Sequence, residues 1–208
     1  MAAARSGLFH LVARIADAPV WLRSRAMAVV WLRDCNSVGA KTRTFFKPHI
    51  HNRGRIDIGR GVRLNSNWAP LELVTGPKGA IEIADGVYIN YGTLISAQER
   101  VRIGANVMVG NYSIIADTDI PGIGEPGGAP NMEARPVDIG AGAWLAARVT
   151  VLPGARIGPG AVIAAGSVVA GDIPAGAVAG GIPARILKQT AVDEPPPTET
   201  SATEGGPQ

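Results

Sequence analysis

The clearest hydrophobic pattern in the chain is a period of six that runs from Val137 to Val169. A large aliphatic residue returns at every sixth position, and a smaller or β-branched residue stands two positions before each one. The large residues are Ile139, Leu145, Val151, Ile157, Ile163 and Val169, and their partners are Val137, Ala143, Val149, Ala155, Ala161 and Ser167. A helix repeats about every 3.6 residues and a strand about every two, so neither alone explains six. The pattern predicts a solenoid of short strands in which each hexad forms one flat side.

The same period appears upstream in shorter runs. Its aliphatic positions there are Ile58 and Leu64, then Ile83, Ile89 and Ile95, and then Ile103, Val109 and Ile115. We interpret the two-residue slip at 98–100 as a bulge at a corner. The region from Trp68 to Lys78 contains Pro and Gly and no period, so we expect an excursion from the coil there. On this pattern the solenoid begins near Ile50.

The period is interrupted once in the second half of the chain and ends after Val169. Residues 116–136 have no usable period, which predicts a long loop at one corner, where function is usually found. Beyond Val169 we expect a last partial coil closed by a short helix or strand. Residues 190–208 are rich in Pro, Thr, Gly and acidic residues, and we expect this tail to be disordered.

The run AGSVVAGDIPAGAVAGGIPARILK resembles the C-terminal signature of the hexapeptide-repeat acyltransferases, which include maltose and galactoside O-acetyltransferases and acetyltransferases of bacterial polysaccharides. The resemblance covers roughly residues 45–189. It implies an all-β solenoid, a left-handed parallel β-helix that assembles as a homotrimer. It also implies transfer of an acetyl or acyl group from acetyl-CoA (acyl-CoA) to a hydroxyl of a saccharide or a lipid-linked saccharide, as in polysaccharide biosynthesis.

The family's general base is a histidine in the protruding loop, usually in an Asp-x-Asp-x-His-Pro-Leu context. The corresponding run here, ADTDIPG at 116–122, has no histidine. We consider Asp117 and Asp119 as candidates for that role, because two neighbouring carboxylates raise each other's pKa. The alternative is that both form turns or cap a corner. The three histidines, His10, His49 and His51, lie upstream of the main repeats, and we interpret them as structural.

The resemblance indicates further site residues on the acceptor and coenzyme sides. Asn90 matches an asparagine that binds the acceptor or the tetrahedral intermediate, and a corner ladder of asparagines is the alternative. Positions matching Ala147 and Ala165 touch the pantetheine arm in the family, and Arg185 and Lys188 would meet the coenzyme phosphates.

One expected coenzyme contact is missing. The family's Thr-Lys pair after the Ser-Val-Val run is Ala170 and Gly171 here, so a phosphate-binding lysine is absent. Together with the missing histidine, this leaves a second hypothesis open, a catalytically silent trimer that serves as a binding or assembly scaffold. No metal site is predicted, because no histidine follows His51.

The N-terminal segment, residues 1–44, differs from the repeats because it mixes apolar clusters with arginines. Pro19 predicts two short helices instead of one. No uncharged run approaches the roughly 20 residues that span a bilayer, and charges interrupt any secretory signal. The helices would pack on the first coil or on a neighbouring subunit. Alternatively, residues 1–33 form an interfacial pair whose arginines attract anionic lipid, with Trp21 and Trp31 at the headgroup level.

Composition and charge limit the fold class, the cellular compartment and the kinds of ligand. The 208 residues include 27 Gly, 16 Pro and only 5% aromatic residues, which suits a solenoid with small fillers. A single cysteine, Cys35, forbids an internal disulfide and fits the reducing cytoplasm. The tail carries four acidic and no basic residues, so the rest of the chain has a formal charge of +7 against +3 overall. That charge suits phosphate-bearing ligands, and without a nucleic-acid motif we predict no nucleic-acid partner.

Overall fold

The computed structural model describes residues 19–118 and 133–189. Within these ranges short strands stack in parallel into three sheets, and each coil of the chain contributes one strand to each sheet in turn. The architecture is a left-handed parallel β-helix, as the hexad period and the family resemblance predicted. Except for the final strand, which pairs antiparallel with the strand before it, each strand bonds to the strand one coil away, which leaves three outer faces and three corners.

The three sheets are named A, B and C in the order in which the chain visits them. Sheet A contains β1 (Ser37–Val38), β4 (Arg55–Ile58), β7 (Ala80–Ile83), β10 (Arg100–Ile103), β13 (Val137–Ile139), β16 (Arg156–Ile157) and β19 (Asp172–Ile173). Sheet B contains β2 (Arg43–Phe45), β5 (Arg63–Asn65), β8 (Tyr88–Ile89), β11 (Met108–Val109), β14 (Trp144–Leu145), β17 (Val162–Ile163), β20 (Ala177–Gly181) and β21 (Ala184–Gln189). Sheet C contains β3 (His49–Asn52), β6 (Glu72–Thr75), β9 (Leu94–Ala97), β12 (Ile114–Ala116), β15 (Thr150–Val151) and β18 (Val168–Val169).

The core consists of aliphatic side chains that point inward and stack in register from coil to coil. In sheet A, for example, Ile139 pairs with Ile157, which pairs with Ile173. Every aliphatic position predicted from the period is buried, and so is the smaller partner two positions before each residue of the main repeat. Each buried aliphatic side chain contributes about 1.5–3 kcal/mol, which chain entropy largely offsets.

The solenoid begins earlier than the predicted start near Ile50. Strand β1 pairs with β4 and β2 pairs with β5, so the first coil starts at Ser37 and includes residues assigned to the helical segment 1–44. The period is hidden there because Thr42 and Thr44 occupy inward positions in place of aliphatic residues. Their hydroxyls donate to the carbonyls of Gly59 (2.8 Å) and Phe46 (2.8 Å), which satisfies them inside the core.

The prediction of an excursion over Trp68 to Lys78 is wrong for strand β6, in the middle of the region. Strand β6 lies within that region, and Leu73 pairs in register with Ile95 and is fully buried. Relative to the next coil, the chain has extra residues in the corner between β5 and β6 and again at 76–79, between β6 and β7. They lengthen the steps from Leu64 to Leu73 and from Leu73 to Ile83 beyond six, which is why the period was lost in the sequence.

One helix, α1 (Val20–Trp31), precedes the solenoid in the described part of the chain. Pro19 stands at its N-cap, a position that proline tolerates, and residues 1–18 lie outside the described residues. The buried residues Ser24, Ala28 and Leu32 follow one side of the helix, which contacts β2. This packing on the first coil agrees with the first of the two interpretations of the N-terminal segment. Within residues 19–118 and 133–189, no helix has the length and hydropathy of a transmembrane span.

Candidate active site

Three of the predicted site residues lie along one edge of the solenoid. This BC corner joins sheet B to sheet C and comprises residues 90–93, 110–113, 146–149 and 164–167. Ala147 and Ala165 occupy the same place in consecutive coils, since Gly166 N donates to Ala147 O over 3.0 Å. Asn90 lies two coils before Ala147, about 10 Å away at the usual strand spacing. The chain thus aligns Asn90 with two of the coenzyme-side candidates on a single edge.

The Asn90 side chain is held in one orientation. Its Oδ1 accepts hydrogen bonds from Tyr91 N (2.9 Å) and from Asn65 Nδ2 (3.0 Å). Because a backbone N–H can donate only to the oxygen, the amide cannot be flipped. Among the described residues Nδ2 of Asn90 has no acceptor, so this half-buried amide presents a donor toward the outside.

Asp117 is a fully buried carboxylate that caps a corner. Its oxygens accept from the backbone N–H groups of Gln98 (2.8 Å), Glu99 (2.7 Å) and Arg100 (2.8 Å). These three amides form the corner at which the hexad period slips by two residues. The carboxylate therefore caps the corner that contains the two extra residues. With 0% exposure and occupied oxygens, Asp117 fits the corner-capping alternative, and it is not placed to meet a substrate.

The long loop leaves the solenoid at a different corner from Asn90. Strand β12 ends at Ala116 and β13 begins at Val137, and Arg135 N donates to Asp117 O over 2.7 Å at the base of the loop. This CA corner is separated from the BC corner by the width of sheet C, about 13 Å for a four-residue strand. Asp119, the other candidate base, lies outside the described residues.

Arg185 and Lys188 lie on the final strand of sheet B. Strand β21 turns back and pairs antiparallel with β20, which places Lys188 beside Val178 and Arg185 beside Gly180. Both side chains are exposed, and Arg185 Nη1 donates to Ala184 O (3.1 Å). They are beyond the coil of Ala165, at the C-terminal end of the solenoid. This hairpin is the closing strand that the sequence predicted as one of two options.

The remaining titratable candidates are away from the loop. His49 and His51 lie on β3, three strands from β12 in sheet C and therefore about 14 Å along the axis from the start of the loop. His49 Nδ1 is 3.9 Å from Glu72 Oε1. Burial, followed by the charges of Asp34 and Asp57, raises the pKa of Cys35 to about 12, which keeps it a neutral thiol. No three His, Cys, Asp or Glu side chains gather as a metal site in the described ranges.

A pocket of about 430 Å³ next to Asn90 was not found by sequence reasoning. It lies on the outer face of sheet B and is lined by Arg43, Phe45, Arg63, Asn65, Asn67 and Tyr88. Tyr88 could have been found, since it precedes Asn90 by two residues and so shares its side of the strand. The other residues come from coils whose register was unknown from the sequence.

Residues 136–171 match the family described as "Bacterial transferase hexapeptide (six repeats)". The chain is also 32% identical over 177 residues to an Escherichia coli K12 protein named lipopolysaccharide biosynthesis O-acetyl transferase WbbJ, covering 81% of this chain and 86% of that protein. The chain belongs to the hexapeptide-repeat acyltransferase family. The resemblance drawn from the C-terminal signature is therefore confirmed.

Other acetyltransferases and acyltransferases are similar over part or most of the chain. Galactoside O-acetyltransferase of Escherichia coli K12 is 34% identical over 109 residues, which are 52% of this chain and 54% of that protein. The structure of AntD, an N-acyltransferase from Bacillus cereus in complex with dTDP and 3-hydroxybutyryl-CoA, matches with a TM-score of 0.66 at 20% identity, over 79% of this chain and 88% of that one. The acetyltransferase VCA0836 of Vibrio cholerae, complexed with acetyl coenzyme A, matches with a TM-score of 0.56 at 23% identity, over 90% and 87%. At these identities the two structures demonstrate a shared fold.

Proposed function

We propose that this protein transfers an acetyl or acyl group from acyl-CoA to a hydroxyl of a saccharide or saccharide-linked acceptor. The observation that carries the proposal is the BC corner, where the outward amide donor of Asn90 stands in line with the small residues Ala147 and Ala165. Small residues leave room for a thin pantetheine arm, and a fixed amide can bind the acceptor or the oxyanion of the intermediate. Family membership and relatives named as O-acetyltransferases support the same reaction.

In this reaction the acceptor hydroxyl oxygen attacks the thioester carbonyl carbon and forms the new ester bond. The carbon–sulfur bond breaks, the sulfur leaves with the electron pair, and the hydroxyl proton ends on the coenzyme A thiol. A hydroxyl is a weak nucleophile, so a base within hydrogen-bond reach accelerates the attack. Because the oxygens of Asp117 already accept hydrogen bonds from backbone amides, we propose Asp119 as this base. The alternative is that positioning of the acceptor by Asn90 accelerates the attack without a base.

We propose a homotrimer in which two chains build each site. In one chain the base of the loop and the Asn90 edge lie on different corners, separated by about the width of a sheet. A neighbouring chain packed by rotation could bring its loop to the BC corner of the first. The acceptor, the coenzyme and the loop would then meet between subunits.

We also propose that α1 brings this cytoplasmic enzyme to the inner face of the membrane. Its outward side exposes Leu22, Val29 (77% exposed) and Val30 next to Arg23 and Arg33, a mixture that suits an anionic lipid surface. Flotation with anionic liposomes tests this contact. We expect binding at low salt that is lost on deletion of residues 1–33 and absent with neutral liposomes, and no binding at low salt would refute it.

A measurement of acetyl-CoA binding distinguishes the acyltransferase proposal from the hypothesis of a catalytically silent scaffold. A ligand at 100 times its Kd stabilises the native state by about 2.7 kcal/mol, so a thermal-shift titration detects it. We expect a saturating upward shift with acetyl-CoA and also with desulfo-CoA, which retains the phosphates. No shift at millimolar acetyl-CoA would favour the scaffold. The absent loop histidine, and Ala170 and Gly171 in place of the family's Thr-Lys pair, also favour the scaffold.

A further inference from the structure

The pocket beside Asn90 is built from three consecutive coils. Arg43, Arg63 and Tyr88 form one row across the sheet, because Arg43 pairs in register with Arg63 and Arg63 with Tyr88. Phe45 and Asn65 form the neighbouring pair. Side chains in one row point to the same face about 4.8 Å apart, so the two guanidinium groups share the pocket wall.

The two arginines carry charge that the described residues do not neutralise. Neither Arg43 nor Arg63 has a carboxylate within salt-bridge distance in the described part of the chain, and no acidic residue lines the pocket. Like charges directly opposite each other on neighbouring strands destabilise a sheet. An anionic ligand between the two guanidinium groups would relieve this repulsion, and guanidinium groups bind phosphate through paired hydrogen bonds.

The outer face of sheet A provides an internal comparison. From β7 onward its outward residues alternate in sign along the register, in the order Glu82, Arg102, Asp138, Arg156 and Asp172, whereas Asp57 on β4 pairs with Glu82. Arg102 and Arg156 therefore have carboxylates as their neighbours in register, whereas the register neighbours of Arg63 in sheet B are Arg43 and Tyr88. The row without carboxylates is the one that adjoins the candidate acceptor site.

The rest of the pocket suits a sugar. Asn65 Nδ2 donates to Asn90 Oδ1 (3.0 Å) and lies 3.4 Å from the Tyr88 hydroxyl, which links the pocket floor to the predicted acceptor contact. Arg63 Cζ lies 5.2 Å from the centre of the Tyr88 ring, and this contact orients the guanidinium. Trp68, which follows the pocket residue Asn67 in the sequence, has an exposed side chain (81%).

We propose that this pocket selects a phosphate-bearing saccharide as the acyl acceptor, with Arg43 and Arg63 binding the phosphate and the Asn65–Asn90 pair orienting the sugar. The inference rests on the proposed acyltransferase function and specifies its acceptor. The phosphate contributes to binding and takes no part in the transfer. Specificity would thus come from two charges on coils that precede the Asn90 coil.

The test compares glucose 1-phosphate with methyl α-glucoside as probes in calorimetric titrations of the full chain. Charge-assisted hydrogen bonds are stronger than those between neutral groups, so we expect the phosphorylated sugar to bind at least about tenfold more tightly. Arg43→Gln and Arg63→Gln should each remove most of this preference, whereas Arg63→Lys should retain part of it. The matched control, Arg102→Gln on sheet A, should leave the preference unchanged.

Equal binding of the two sugars by the native protein would overturn the inference, and so would an equal loss in the Arg102→Gln control.

The phosphates of the coenzyme are the other source of the same chemistry. Displacement of glucose 1-phosphate by saturating acetyl-CoA would assign the pocket to the coenzyme and also overturn the inference. Acetyl-CoA binding without a preference for the phosphorylated sugar refutes this acceptor class alone. Sugar phosphate binding without acetyl-CoA binding refutes the acyltransferase proposal and leaves a phosphosugar-binding pocket.

Discussion

At the scale of single residues, Asp117 determines how the loop is attached. Its carboxylate binds three consecutive backbone amides of the preceding coil, and its carbonyl accepts from Arg135 where the chain returns. The residue therefore closes the loop at its base. A catalytic group could be carried two residues farther along the chain, at Asp119, without disturbing this anchor.

Asp117 and Asp119 allow a matched pair of substitutions with the same change in charge. Asp117→Asn replaces an acceptor oxygen with a donor and leaves a buried amide unpaired, so we expect a loss of about 1–3 kcal/mol in the free energy of unfolding. Asp119→Asn should leave that free energy unchanged and lower turnover by about 100-fold or more if it is the base. Urea denaturation and an acetyl-transfer assay measure the two effects. Unchanged turnover in Asp119→Asn would leave acceptor positioning as the mechanism.

Cys35 gives a prediction about pH. Burial and two nearby carboxylates raise its pKa to about 12 from an ordinary value of 9.0, so the folded protein keeps the thiol while the unfolded chain ionises first. Its contribution to stability is present below about pH 9 and is lost as the pH rises toward 12. We expect the stability of the native protein relative to Cys35→Ala to fall across this interval. A difference that is independent of pH would contradict the raised pKa.

At the scale of the coil, the glycines of a corner have two distinct physical functions. Gly142 has φ +69° and open space where a Cβ would lie, so its requirement is conformational. Gly140, in the same corner, lies against the next coil. A Cβ there would overlap Pro159 N and lie 2.7 Å from Gly158 C. Close stacking of corners and left-handed backbone geometry are therefore separate constraints on neighbouring residues.

Alanine substitutions at the two glycines should separate these constraints. Gly142→Ala should lower the free energy of unfolding by about 1–2 kcal/mol, the usual strain of a left-handed alanine. Gly140→Ala should lower it by more, because the backbones of two coils must move apart. Denaturant titration of both variants measures the difference. A larger loss in Gly142→Ala would mean that backbone strain, and not stacking, limits the corner.

At the scale of the whole molecule, the base of the long loop and the Asn90 edge of one chain lie apart. The Asn90 edge and the base of the loop are on different corners, and the arginine pocket opens on the face of sheet B next to Asn90. In the homotrimer that we propose, the loop of a neighbouring chain meets this edge. Three chains of 21.5 kDa would give a mass of about 64.5 kDa by light scattering.

Subunit complementation tests the shared site directly. Asn90→Ala and Asp119→Asn should each be inactive alone, whereas mixed trimers contain some sites in which both residues are native. If Asp119 is the base, we expect co-expression of the two variants to restore activity, up to about a quarter of the native level for random assembly. As a control, each variant is co-expressed with itself. A monomeric mass, or no recovery in mixed trimers, would contradict a site shared between chains.

The fold was predictable from the sequence wherever one hexad followed another without interruption. The inward residues from Ile139 to Val169 were identified correctly because the period is local and each hexad repeats the same contact. Prediction failed where a polar residue filled an inward position, as at Thr44, or where extra residues shifted the spacing, as before Leu73. In both places the coil continued in space although the pattern in the chain was broken.

By itself, the sequence determined the solenoid, its inward side chains and the position of the long loop, since these follow from a repeat read along the chain. Only the tertiary structure decided which distant residues share a face or a corner. Arg43, Arg63 and Tyr88 form one row across three coils that differ in length, so their alignment depends on every corner between them. The capping function of Asp117 likewise depends on amides that stacking of the coils brings within hydrogen-bond reach. Stacking converts separation along the chain into contact, and the register of the coils determines which side chains meet.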